Sequence, residues 1–166
     1  MRICICPGSF DPVTVGHLDI IKRASKLFDK VIVLVMVNSA KQAAFTLEER
    51  VDFIKRCIGD FANVEVDCAR DILLAEYARE KKATAIVKGL RAVSDYEYEF
   101  QQALMNKNLN AEVETVFLMT DSENMFLSSS AVKEVCRLGG SIIQFVPSAI
   151  HEDIVQRLKS VNTKGD

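Results

Sequence analysis

Apolar positions along the chain switch repeatedly between two spacings. Short runs rich in β-branched residues predict five strands, over Arg2 to Cys6, Lys30 to Val37, Ala62 to Val66, Ala85 to Lys88 and Glu114 to Leu118. Between them the apolar residues recur three and four apart. Leu18, Ile21 and Phe28, with Ala24 and Leu27 nearby, give one face to a helix starting near Gly16. Thr46 and Glu49 form a T-x-x-E capping box ahead of Leu47, Val51, Ile54 and Ile58, so a second helix follows Thr46. Further helices are predicted from Asp71 to about Lys81, from Asp95 to about Lys107, from Ser129 to Leu138 with Gly139 as the stop, and from Ser148 to about Val161.

Strands alternating with helices specify an α/β fold on a parallel sheet, and right-handed crossovers make it a doubly wound, five-stranded sheet with helices on both faces. Ligands of such sheets bind beyond the carboxyl ends of the strands, where the winding direction reverses. Function is therefore expected in Pro7 to His17, Gly89 to Glu99 and Asn124 to Ser130, all facing one crevice.

Composition narrows the possibilities. A chain of 166 residues, 49% hydrophobic, buries one sizeable core, so residues 1–160 are expected as one domain with 161–166 as a flexible tail. With 21 basic and 23 acidic side chains the formal net charge is -2, which offers no nucleic-acid footprint. The N-terminus lacks the pattern of a signal peptide and no apolar run is long enough to span a bilayer, so a cytoplasmic protein without membrane contact is expected. Cys4, Cys6, Cys57, Cys68 and Cys136 include no C-x-x-C pair, and only His17 and His151 could join them. Reduced, mostly buried thiols are expected, and no protein metal site.

Each of the three segments carries groups suited to phosphate. The first ends in T-x-G-H: Gly8 and Gly16 permit close backbone approach, and Ser9 and the helix start offer donors. His17 sits at a helix N-terminus, where the dipole disfavours a cation, so an anionic partner is expected for it. The second, Lys88-Gly89-Leu90-Arg91, sets two cations around a glycine at a strand end. The third opens a helix with Ser128, Ser129 and Ser130, more hydroxyls than one cap requires. Read alone, these remain compatible with a strand-to-helix loop, a solvated basic turn and a capped helix.

The spans PGSFDPVTVGHLDII, FTLEERV, KGLRAVSDYEYEFQQALMN, VETVFLM and LSSSAVKEV, in this order, resemble the bacterial phosphopantetheine adenylyltransferase family of the nucleotidylyltransferase superfamily. The resemblance runs from residue 1 to about residue 160 and implies a Rossmann-like domain. It further implies AMP transfer from ATP to 4'-phosphopantetheine, giving dephospho-CoA and pyrophosphate, with Mg²⁺ carried mainly on ATP. A homohexamer subject to feedback binding of CoA is also implied. On matching positions, His17, Lys41, Arg91 and Ser129 would be catalytic. Ser9, Phe10, Gly89, Leu90 and Glu99, with Asn124, Met125, Phe126, Leu127, Ser128 and Ser130, would bind ATP, while Ser9, Lys41, Leu74 and Lys88 would bind the acceptor. Ser9 stands where many relatives have threonine, and Lys88 replaces a common arginine, keeping the charge but losing the planar fork. The first and third segments alone leave open a relative acting on nicotinate mononucleotide or glycerol phosphate, or a non-catalytic nucleotide- or CoA-binding module. KGLRAVSDYEYE argues against the former, and the full set of charged and hydroxyl groups against the latter.

Overall fold

The computed structural model describes residues 1–37, 42–91 and 93–160, with only the backbone of 93–95 and 160. Five parallel strands, β1 (Ile3–Gly8), β2 (Lys30–Val37), β3 (Val64–Arg70), β4 (Ala85–Leu90) and β5 (Glu114–Met119), lie in the order β3-β2-β1-β4-β5. The chain moves outward from β1 through β2 to β3, returns across the sheet to β4 and moves outward again to β5. Winding therefore reverses between β1 and β4, as doubly wound topology requires.

Helices α1 (Val15–Leu27), α2 (Leu47–Cys57), α5 (Ser129–Arg137) and α6 (His151–Ser160) cover one face, and α3 (Leu74–Glu80) with α4 (Val93–Leu109) flanks the other. Alternation along the strands sorts the core. Cys4, Cys6, Val31, Val33 and Val87 pack against Ile21, Ile54, Val132 and Ile154, while Ile5, Ile32, Leu34 and Ile86 pack against Tyr77 and Ala78.

Several boundaries differ from the periodicity. α3 begins at Leu74, not Asp71, because Asp71 adopts φ 53, a left-handed conformation that cannot start a right-handed helix. β3 starts two residues later than expected, after a turn closed by Phe61 N–H on Ile58 O, and runs on to Arg70. The last helix is preceded by a 3-10 turn at Ser148–Ile150. In α1, Ile20 is buried, whereas Leu27 in the last turn is half exposed. Gly139, with φ 86, ends the fifth helix as expected. All five cysteines are free; Cys4, Cys6 and Cys136 are buried, but Cys68 on the edge strand is exposed. No helix among the described residues is long and apolar enough to cross a membrane.

Candidate active site

The carboxyl ends of β1 and β4 open onto a cleft of about 690 Å³ at the point where the winding reverses. The three segments meet there. Ser9 and Phe10 come from the loop after β1, His17 from the first turn of α1, Lys88, Gly89 and Arg91 from the end of β4, and Glu99 from α4. Asn124, Leu127, Ser128, Ser129 and Ser130 complete that end, and Leu74 lines the other with Ile72, Leu73, Met105 and Leu109. Three of the expected nucleotide-side residues do not line the cleft. Leu90 is held in the β4–β5 ladder opposite Met119, and Met125 and Phe126 are exposed, with Phe126 edge-on to Phe145 at 5.7 Å. Lys41 and the expected tail 161–166 lie outside the described residues.

His17 is placed by a capping box of unusual composition. Thr14, 2% exposed, is the N-cap of α1, and its hydroxyl accepts from the His17 N–H at 3.3 Å. The Thr14 N–H donates to His17 Nδ1 at 3.0 Å, taking the place that glutamate fills in the usual box. A backbone N–H can only donate, so Nδ1 carries no proton and Nε2 carries the one that remains. Burial pushes the imidazole pKa down to about 4, and the Arg91 charge adds to the shift. His17 therefore needs no anionic partner, contrary to the expectation from the helix dipole: it avoids the conflict by staying neutral. The Phe10 ring braces it edge-on at 5.1 Å. Phe10 itself is 3% exposed and held at φ 46, and the room that glycine leaves at position 8 is taken by its ring, since a Cβ there would lie 3.0 Å from Phe10 Cζ.

A neutral, half-buried histidine has a measurable consequence. Unfolded, the imidazole takes up a proton below about pH 6.5; folded, it resists until about pH 4, so across that window the unfolded state binds more protons. Stability is thus expected to fall with pH through that range, by up to about 3 kcal/mol, and His17→Gln to flatten this part of the slope. Denaturant unfolding of both proteins at about pH 7 and about pH 5 measures the difference; parallel losses would mean that His17 is protonated in the fold.

Opposite His17, the cations are organised rather than merely solvated. Lys88 Nζ pairs with Glu99 Oε2 at 2.5 Å, joining β4 to α4. Arg91 Nη1 donates to Leu127 O at 2.8 Å, tying the end of β4 to the approach to α5. Gly89 is needed where α1 crosses: a Cβ there would come within 3.0 Å of Ile20 Cγ1. The serines divide their work. Ser128 is the N-cap, accepting from Ala131 N–H at 3.1 Å; Ser129 Oγ donates to Pro12 O at 2.7 Å; Ser130 is exposed at the rim. Ser129 retains its acceptor lone pairs, but its proton is committed to the loop. Sequence reasoning missed Thr14, although T-x-x-H repeats the spacing of the T-x-x-E box it identified at Thr46. Apart from Leu74, it also missed the apolar wall, whose residues carry no chemical signature.

A doubly wound sheet with a cationic, hydroxyl-lined cleft at its reversal point defines a nucleotide-handling enzyme of the cytidylyltransferase-like class, and the family model described as cytidylyltransferase-like matches residues 5–135. The phosphopantetheine adenylyltransferase of Alkaliphilus oremlandii is 57% identical over 95% of this chain and 99% of that one. That of Caldanaerobacter subterraneus subsp. tengcongensis is 54% identical over 96% and 99%. Among solved structures, Plasmodium falciparum nicotinic acid mononucleotide adenylyltransferase superposes with a TM-score of 0.68 at 14% identity, covering 97% of this chain and 96% of that one, a likeness of fold alone. The chain belongs to the phosphopantetheine adenylyltransferase family.

Proposed function

We propose that the protein transfers AMP from ATP to 4'-phosphopantetheine, giving dephospho-CoA and pyrophosphate in coenzyme A biosynthesis. The observation that carries this reading is the neutral His17, held with its Nε2 proton available in a cleft that also holds Arg91 and the start of α5. The acceptor is a phosphate monoester with a second pKa of about 6, so near neutrality it is already a dianion and needs no base to attack the α-phosphorus. Catalysis then consists of alignment and charge stabilisation. His17 Nε2–H would donate to the α-phosphate as charge builds there; because the ring is neutral near pH 7, its N–H is too weakly acidic to be lost to the acceptor. Arg91 and the Ser128–Ser130 helix start would bind the triphosphate, and Lys41 and Lys88 the acceptor phosphate. Ile72, Leu73 and Leu74 on one side and Met105 and Leu109 on the other offer the pantetheine chain an apolar trough.

Mg²⁺ would neutralise the triphosphate and assist pyrophosphate departure. Glu99 is the single carboxylate lining the cleft among the described residues and is paired with Lys88, a donor set suited to an ion carried on phosphate oxygens. Exposed Tyr98, Phe100 and Leu104 on α4 support self-association, and the homohexamer implied by the family resemblance belongs to this reading. A cytoplasmic location and feedback binding of CoA in the same cleft belong to this reading.

One assay tests it. Pyrophosphate release from Mg-ATP is expected with phosphopantetheine and not with nicotinate mononucleotide or without an acceptor; release with nicotinate mononucleotide would reassign the substrate, and tight CoA binding without turnover would make this a binding module.

A further inference from the structure

Asp11 lies in the loop that carries His17, yet it does not line the cleft and is only 6% exposed. Its carboxylate gathers donors from two other parts of the chain. Oδ1 accepts from Ala44 N–H at 3.1 Å and Phe45 N–H at 2.9 Å, and Oδ2 accepts from Ala44 N–H at 3.0 Å and Lys133 Nζ at 2.6 Å. Ala44 and Phe45 follow Lys41 closely in sequence and precede the N-cap of α2; Lys133 lies one turn along α5 from Ser129, whose hydroxyl reaches the next loop residue, Pro12. Arg50, 5% exposed, adds a third tie by donating from Nη1 to Ser9 O at 2.8 Å.

A buried carboxylate must be paired and hydrogen-bonded to stay charged. Burial by itself would raise the Asp11 pKa, but the Lys133 bond and the two amides outweigh it and hold the carboxyl below the usual range. More than one contact would be needed merely to bury this group, but nothing about burial requires one of them to come from the helix whose first residues line the cleft.

We propose that Asp11 and Lys133 form a latch that sets α5, whose first residues line the cleft, against the loop that leads into His17, with the segment entering α2 as its second support. They are positioning residues for AMP transfer and touch neither substrate. The proposal rests on the reaction assigned above and adds to it that the helix start on the nucleotide side is registered to the His17 side of the cleft through one carboxylate.

The two arms of the latch separate experimentally. Asp11→Asn leaves an oxygen for the Ala44 and Phe45 amides but abolishes the ion pair, and Lys133→Met removes the same link from the other side. Both are expected to weaken ATP binding by about tenfold, read by calorimetry without acceptor, while leaving the KM for phosphopantetheine nearly unchanged. Lys133→Arg, which keeps the pair, is expected to behave like wild type. Asp11→Asn combined with Lys133→Met is expected to be no worse than the poorer single variant, since both remove one interaction. Asp11→Ala frees the segment entering α2 too and is expected to weaken ATP binding at least as much as Asp11→Asn; should it not fold, Lys133→Met decides the matter alone. Unaltered ATP affinity in folded Lys133→Met, or equal losses for both substrates in Asp11→Asn, would overturn the latch. Failure of the wild type to turn over phosphopantetheine would instead count against the assigned reaction, and the ATP calorimetry would still read the latch.

Discussion

Replacing His17 with alanine is expected to lower kcat by about 10² or more, the scale of losing one preorganised donor to a developing oxyanion. The same substitution also strips the acceptor from the Thr14 N–H, in a residue only 2% exposed, and leaving such a donor unsatisfied costs about 1–3 kcal/mol. The two effects can be separated. Glutamine at the third position of a capping box can reach back to the N-cap N–H, so His17→Gln should recover most of the stability. It should not recover the rate, because its flexible amide is not held where the imidazole Nε2 lies. Thermal unfolding and saturated turnover measured on both variants check this. A folded His17→Ala with unchanged kcat would remove His17 from the mechanism.

Arg91→Ala is expected to reduce kcat/KM by about 10² to 10³, since it removes a cation from the cleft and a donor from Leu127 O together. Its loss should also relax His17, whose pKa the Arg91 charge helps to hold down, so the stability slope between about pH 6.5 and about pH 4 should become shallower. Arg91→Lys keeps a charge without the planar fork and should fall between the two. Steady-state kinetics with each substrate varied against saturating partner measures the loss. An Arg91→Ala enzyme within about threefold of wild type would mean that the guanidinium serves only to hold the Leu127 carbonyl.

Much of this protein is local information. β-Branched runs and three-to-four spacings located the five strands and six α-helices of the described residues, because each element shows its buried face as a period along the chain. The boundaries that shifted were decided elsewhere: Asp71 turns left-handed where β3 hands over to α3, a backbone event with no apolar signature. The resemblance in PGSFDPVTVGHLDII and KGLRAVSDYEYE identified the chemistry, but a motif names residues without saying what holds them. Met125 and Phe126, expected at the nucleotide from the resemblance, face outward just ahead of the LSSSAVKEV span.

By itself the sequence determined the strand and helix succession, hence the doubly wound sheet, the crevice at its reversal point and the three segments that meet there. Only the tertiary structure decided the protonation of His17, because that depends on desolvation in the cleft and on the charge of Arg91 brought in from the end of β4, not on the helix dipole that local reasoning can see. The same holds for Asp11, Ser129 and Lys133. Their partners stand 33 to 122 residues away, and contacts of that span arise from how layers pack, which no periodicity records.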